Sequence, residues 1–176
     1  MYILFKFLQT NIILNMPSAR DLDRTDYEII KLLQNNARLS NKALADKVGL
    51  APSTCLGRVQ SLIAAGVFRG FHADVNPHAV GVSLQAMVAV RLSRHTKALL
   101  ESFRDHVLGL PEVVQLYHVA GPIDFMVHVW VRDSEHLRDL AMNAFTSREE
   151  VEHIETELIF DHAGSIDRPI FNGDGS

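Results

Sequence analysis

A single cysteine, Cys55, is all the thiol chemistry available to this 176-residue chain. It excludes an intramolecular disulfide and any multi-cysteine zinc site, so stability must come from packing. Long apolar runs are also missing. The most apolar stretch, Met1 to Asn15, is broken by Gln9, Thr10 and Asn11 and falls short of the ~20 residues that span a bilayer. It lacks the basic start and small-residue cleavage site of a secretory signal, and reads as an upstream extension ahead of a start at Met16. Nor is there an excess of positive charge. The net charge is −4, which taken alone speaks against a nucleic-acid partner. Its distribution speaks differently: Met16 to Gly81 carries eight Lys/Arg against six Asp/Glu, and Val82 to Ser176 carries eight against fifteen. A weakly cationic part followed by an acidic one is expected if only the first meets phosphates.

What is present is ordinary globular material, 47% hydrophobic and 22% charged, enough for two small domains. Three short helical patterns follow one another after Met16. The first spans about Thr25 to Asn35, with Ile29, Leu32 and Leu33 on one face and the acidic Asp26 and Glu28 near its start. The second begins at Ser40, an N-cap flanked by Leu39 and Leu44, and stops at Gly49. The third starts at Pro52 and ends at Gly66, with Cys55, Leu56, Val59, Leu62 and Ile63 on one side. Its other side carries Ser53, Thr54, Gly57, Arg58 and Ser61, side chains short or basic enough to approach a phosphate backbone and base edges. Two helices joined through Gly49-Leu50-Ala51 and backed by a third form a helix-turn-helix, whose last helix would lie in the major groove. A structural bundle with a solvated polar face fits the same pattern.

The expected domain boundaries are 16–66 for this module, 67–82 for a hinge with a short extended segment at Val67 to Val75, 83–163 for a second domain and 164–176 for a tail. In the second domain the order is strand (Leu84 to Leu92), helix (Thr96 to Val107), strand (Val113 to Val119), strand (Asp124 to Val131), helix capped by Ser134, and strand (Glu152 to Phe160). This βαββαβ order predicts a ferredoxin-like α+β fold, an antiparallel sheet with helices on one face. The first strand is apolar on both sides, and Met126, His128 and Trp130 line the second face of the third. An uncovered apolar face predicts a partner, most simply a second copy of the chain.

Residues from about Leu22 to Phe160 resemble the Lrp/AsnC (feast/famine) family of bacterial and archaeal transcription regulators. The likeness lies in LDRTDYEIIKLLQNNARLSNKALADKVGLAPSTCLGRVQSLIAAGVFRGFHADVNPHAVG and VVQLYHVAGPIDFMVHVWVRDSEHL. It implies a winged helix-turn-helix, a cytoplasmic, nucleoid-associated regulator of double-stranded DNA, dimers gathering into octamers, and an amino-acid effector bound between dimers, with no cofactor. DNA contacts are implied at Ser53, Thr54, Gly57, Arg58, Ser61 and Arg69, and effector contacts at Tyr117, His118, Gly121, Asp124 and Thr156. In this scheme Gly121 lets the ligand approach the backbone, and the Asp124 carboxylate pairs with the effector ammonium. Two departures stand out. Ala51 replaces the serine usual before the recognition helix, and Gly57-Arg58 replaces Arg-Arg, which weakens that helix and removes a cation.

Other classes fit less well. Nine histidines show no HxxxH or HExxH spacing, so a metal site would need ligands gathered across strands or subunits. No nucleophile–base pair or phosphate loop appears at recognisable spacing, although related folds serve decarboxylases of haem biosynthesis. An architectural DNA-compacting protein would need the helices but have no use for Gly121 and Asp124.

Overall fold

The computed structural model describes residues 22–165 and 168–170, and the expectation for Met1 to Asn15 lies outside them. Two units emerge: the described residues up to Ala73 and from Gly164 onward form one, and Asp74–Ala163 the other. No helix among the described residues is long and apolar enough to cross a membrane.

The first unit is built from α1 (Arg24–Asn35), α2 (Asn41–Val48) and α3 (Pro52–Ala64). Helix α1 starts on a capping box. The Asp23 carboxylate accepts the Asp26 N–H at 2.8 Å, and the Asp26 carboxylate accepts the Asp23 N–H at 3.4 Å. Helix α2 is capped by Ser40 Oγ, which accepts the Ala43 N–H, and closes at Gly49, whose φ of 67° is the left-handed value that glycine tolerates without strain. Helix α3 has Pro52 in its first turn and ends at Ala64, before the expected Gly66. Ile29, Ile30, Leu33, Leu44, Ala45, Cys55 and Leu62 pack together, and Ile170 of the tail joins them. Leu56 and Ile63, expected on the buried side, are nearly half exposed. Residues 67–75 form no strand; a lone extended segment has no ladder to complete, and no described strand pairs with it.

The second unit opens with a 3₁₀ turn, Pro77–Val80. Strand β1 (Leu84–Leu92), helix α4 (Lys97–Leu108), β2 (Val113–His118), β3 (Phe125–Val131), α5 (Ser134–Leu140, continuing as a π-helical turn over Ala141–Thr146) and β4 (Val151–Leu158) follow. The sheet order is β2-β3-β1-β4, antiparallel throughout, which is the expected ferredoxin-like arrangement. Asp133, rather than Ser134, caps α5 by accepting the His136 N–H at 2.8 Å.

Alternation sets the two faces of the sheet. Ala86, Val88, Val90 and Leu92 of β1 and Phe125, Val127, Val129 and Val131 of β3 bury against Phe103 and Val107 of α4 and Leu137, Leu140, Ala144 and Phe145 after β3. Each large side chain so buried contributes about 1.5–3 kcal/mol. The opposite face carries Gln85, Met87 and Ala89 beside Trp130, His128 and Met126, and no described helix covers it.

Candidate nucleic-acid interface and ligand loop

The turn Gly49-Leu50-Ala51 sets α3 against α2, and a side chain outside the turn braces it. Asn41 at the start of α2 donates its amide N–H to the Pro52 carbonyl at 2.7 Å. Ala51 has the extended backbone of an N-cap but offers no oxygen to the first turn of α3. Ser53, Thr54 and Gly57 stand exposed along α3, and Ser61 is partly buried. A Cβ built on Gly57 meets nothing within 4 Å, so packing within the chain does not require a glycine there. Arg69, beyond the helix, is exposed.

Arg58 departs from the rest of the expected set. Its Nη1 donates to Asp23 Oδ2 at 2.6 Å and to Asp26 Oδ1 at 2.9 Å, and its side chain is 29% exposed. The Asp26 side chain is only 2% exposed. The hydrogen bonds to Asp23 and then Asp26 push the pKa of the guanidinium up from its ordinary value. The N–H of Asp26, and after it Arg58, holds the Asp23 carboxyl below the usual carboxylate range. At 100° per residue, position 58 lies roughly 40° from Leu62 and 60° from Cys55 around the helix, on the shoulder of the core rather than with Ser53 and Gly57. Helical spacing alone could have shown this. The Asp23 cap was the signal that would have supplied the partner.

The residues expected around a ligand fall into two groups. Gly121, Asp124 and His118 meet near the ends of β2 and β3. Gly121 has φ 151°, a region that favours glycine, and a Cβ there would meet only open space. The Asp124 carboxylate is already engaged: Oδ2 accepts the Leu92 N–H at 2.7 Å, and Oδ1 lies 2.8 Å from His95 Nε2. His95 was not anticipated; it lies 29 positions from Asp124, in the loop after β1. The His118 ring stacks on Phe125 with centroids 4.8 Å apart. Tyr117 is exposed and pairs with Met126 on the open face.

Thr156 belongs elsewhere. It pairs with Val88 on β4, the far edge of the sheet from β2, roughly 14 Å away at three strand spacings. One subunit therefore does not unite Thr156 with Tyr117 and His118. Among the described residues no group of three His, Cys, Asp or Glu side chains could hold a metal.

Comparison with known proteins gives consistent matches to both units. Residues 22–69 match the model of a winged helix-turn-helix DNA-binding domain, and residues 85–163 that of the Lrp/AsnC ligand binding domain. The chain is 44% identical over 144 residues to the HTH-type transcriptional regulator AldR of Mycolicibacterium smegmatis, covering 82% of this chain and 84% of that one. It is 36% identical over 122 residues to the leucine-responsive regulatory protein of Escherichia coli, covering 69% and 74%. Among solved structures, a transcriptional regulator of Neisseria meningitidis in complex with L-Met superposes with a TM-score of 0.77 at 30% identity, over 84% of this chain and 96% of that one. The structure of AldR from Mycobacterium tuberculosis gives 0.69 at 39% identity, over 81% and 96%.

Proposed function

The chain belongs to the Lrp/AsnC family of transcription regulators, and on that premise we propose that an amino acid or a related small metabolite, held at the 121–124 loop, modulates its grip on DNA. A helix-turn-helix module and a ligand-binding module on one chain make it a DNA-binding transcription regulator. The observation that carries the DNA reading is the outward row of α3, where Ser53 and Gly57 leave an unobstructed surface behind a glycine-closed turn. Thr54 and Ser61 flank that row, and Arg69 supplies a cation just beyond it. The protein acts in the cytoplasm on the nucleoid, without catalysis of its own.

The effector reading is supported by the conformation of Gly121, which lets a ligand come close to the backbone, and by the L-Met bound to the Neisseria relative. An effector ammonium reaching Asp124 has to displace His95 from Oδ1. Because Thr156 and His118 sit at opposite edges of one sheet, a pocket holding both takes one edge from each of two subunits. The uncovered face around Met87, Met126 and Trp130 suits a second copy, giving dimers and higher closed assemblies.

One observation favours a second reading, an architectural protein indifferent to effectors: both oxygens of Asp124 are satisfied inside the chain. The two are separated by measuring binding to the duplex upstream of the protein's own gene by fluorescence anisotropy, with each of the twenty amino acids, alongside light scattering. A change in affinity or assembly size with one or a few amino acids is expected. Indifference of both quantities to all twenty favours the architectural reading.

A further inference from the structure

We propose that Arg58 is a positioning residue of the DNA-binding module, clamping the recognition helix to the capping box of α1 and taking no DNA phosphate. The inference rests on the reading that α3 enters a groove of DNA, and it assigns Arg58 a part different from that of its polar neighbours. All four carboxylate oxygens of Asp23 and Asp26 have donors. Asp23 Oδ1 takes the Asp26 N–H, Asp26 Oδ2 the Asp23 N–H, and the remaining two take one nitrogen of Arg58. The capping box and the ion pair are thus one closed unit, with Asp26 inside it almost wholly shielded from water.

Moving the guanidinium out to a phosphate would strand a buried carboxylate, which costs more than a surface cation gains at a phosphate in salt. The direction of the side chain agrees. It leaves α3 from the flank of the core, toward α1 rather than away from the bundle. The outward row of α3 is left with Ser53, Gly57, Gln60 and Ala64, all uncharged. Phosphate contact then falls to cations elsewhere in the module, with Arg69 the first to test.

The experiment measures binding of the full chain to the duplex upstream of its gene between roughly 50 and 300 mM KCl, where phosphate contacts set the slope of log affinity against log salt. Wild type, Arg58→Gln, Arg58→Lys, Asp26→Asn, the Arg58→Gln/Asp26→Asn double variant and Arg69→Gln are compared, each also unfolded in urea. Arg58→Gln should weaken binding about tenfold with the salt slope unchanged, because the lost group set geometry rather than counted charge. Arg69→Gln should lower the slope by about 1 per engaged module. In urea the double variant should lose clearly less stability than the sum of the single losses, since a neutral amide at position 26 no longer needs a cation.

A slope lowered by about 1 in Arg58→Gln, or additive losses in urea, overturns the clamp. If Arg58→Gln does not fold, the double variant, which removes the cation together with the buried charge it pairs with, carries the salt measurement, an unchanged slope being expected and one lowered by about 1 overturning the clamp. If wild type ignores duplex DNA at every salt concentration, the functional reading fails while the urea cycle still decides the clamp.

Discussion

Two side chains outside the clamp report directly on the local environment. Cys55 is fully buried in the helical core, and burial pushes its thiol pKa up. A thiol-specific reagent at neutral pH should therefore label the native protein only as fast as it unfolds; prompt stoichiometric labelling would contradict the packing. His128 is only 8% exposed on the open sheet face, its Nε2 3.1 Å from Gln85 Oε1, with Trp130 donating to the same oxygen at 3.0 Å. Burial, and then the neighbouring His162, lower its pKa. The unfolded chain thus binds a proton at a pH where the folded one does not, so stability is full above the ordinary value of about 6.5 and is lost as pH falls below it. His128→Gln should flatten that part of the stability–pH curve, as measured by urea midpoints from pH 7.5 to 5.5. Equal slopes in variant and wild type would refute the assignment. Neither pairing at this scale, His128 with His162 or His95 with Asp124, was legible in the sequence, because partners far apart along the chain leave no spacing to read.

At the scale of elements, α3 carries two weaknesses that reading by position does reveal. Ala51 holds the backbone of an N-cap without a side-chain acceptor. Ala51→Ser should stabilise the module by about 1 kcal/mol, visible as a higher urea midpoint. Gly57 costs the helix up to about 1 kcal/mol relative to alanine, and no neighbour in the chain forbids a Cβ. Gly57→Ala is expected to raise stability while lowering DNA affinity, since the added methyl group would fill the gap between helix and groove. A variant both more stable and equally tight would show that α3 does not approach DNA at this position. Helix and strand order was legible because it depends on periodicity within ten or so residues, as in the buried alternation of β1 and β3. The segment 67–75 alternates yet forms no strand, because alternation signals one only where a ladder partner exists. The cap of α5 falls one residue before the expected position, Asp133 and Ser134 being equally good candidates on composition.

For the whole molecule, the sheet face around Met87, Met126 and Trp130 is covered by no described helix, and a second copy is its proposed cover. Met126→Asp, placed at the centre of that face opposite Ala89 and Tyr117, should reduce the assembly to single subunits in sedimentation while leaving the far-UV spectrum intact. Persistence of the wild-type assembly would move the interface elsewhere. The uneven charge, cationic before Gly81 and acidic after it, keeps the second unit from competing for phosphates.

The amino-acid order by itself determined the two modules, the sequence of helices and strands within them, the glycine-closed turn ahead of α3 and the glycine-bearing loop before Asp124. Each of these depends on neighbours within a turn of helix or a few residues of strand. Only the tertiary structure decided what Arg58 and Asp124 touch and which edge of the sheet Thr156 occupies. Arg58 and Asp26 lie 32 positions apart, and a contact of that span is set by how the elements pack around the core. Local periodicity shows where a side chain starts, and the packed neighbours decide what it meets.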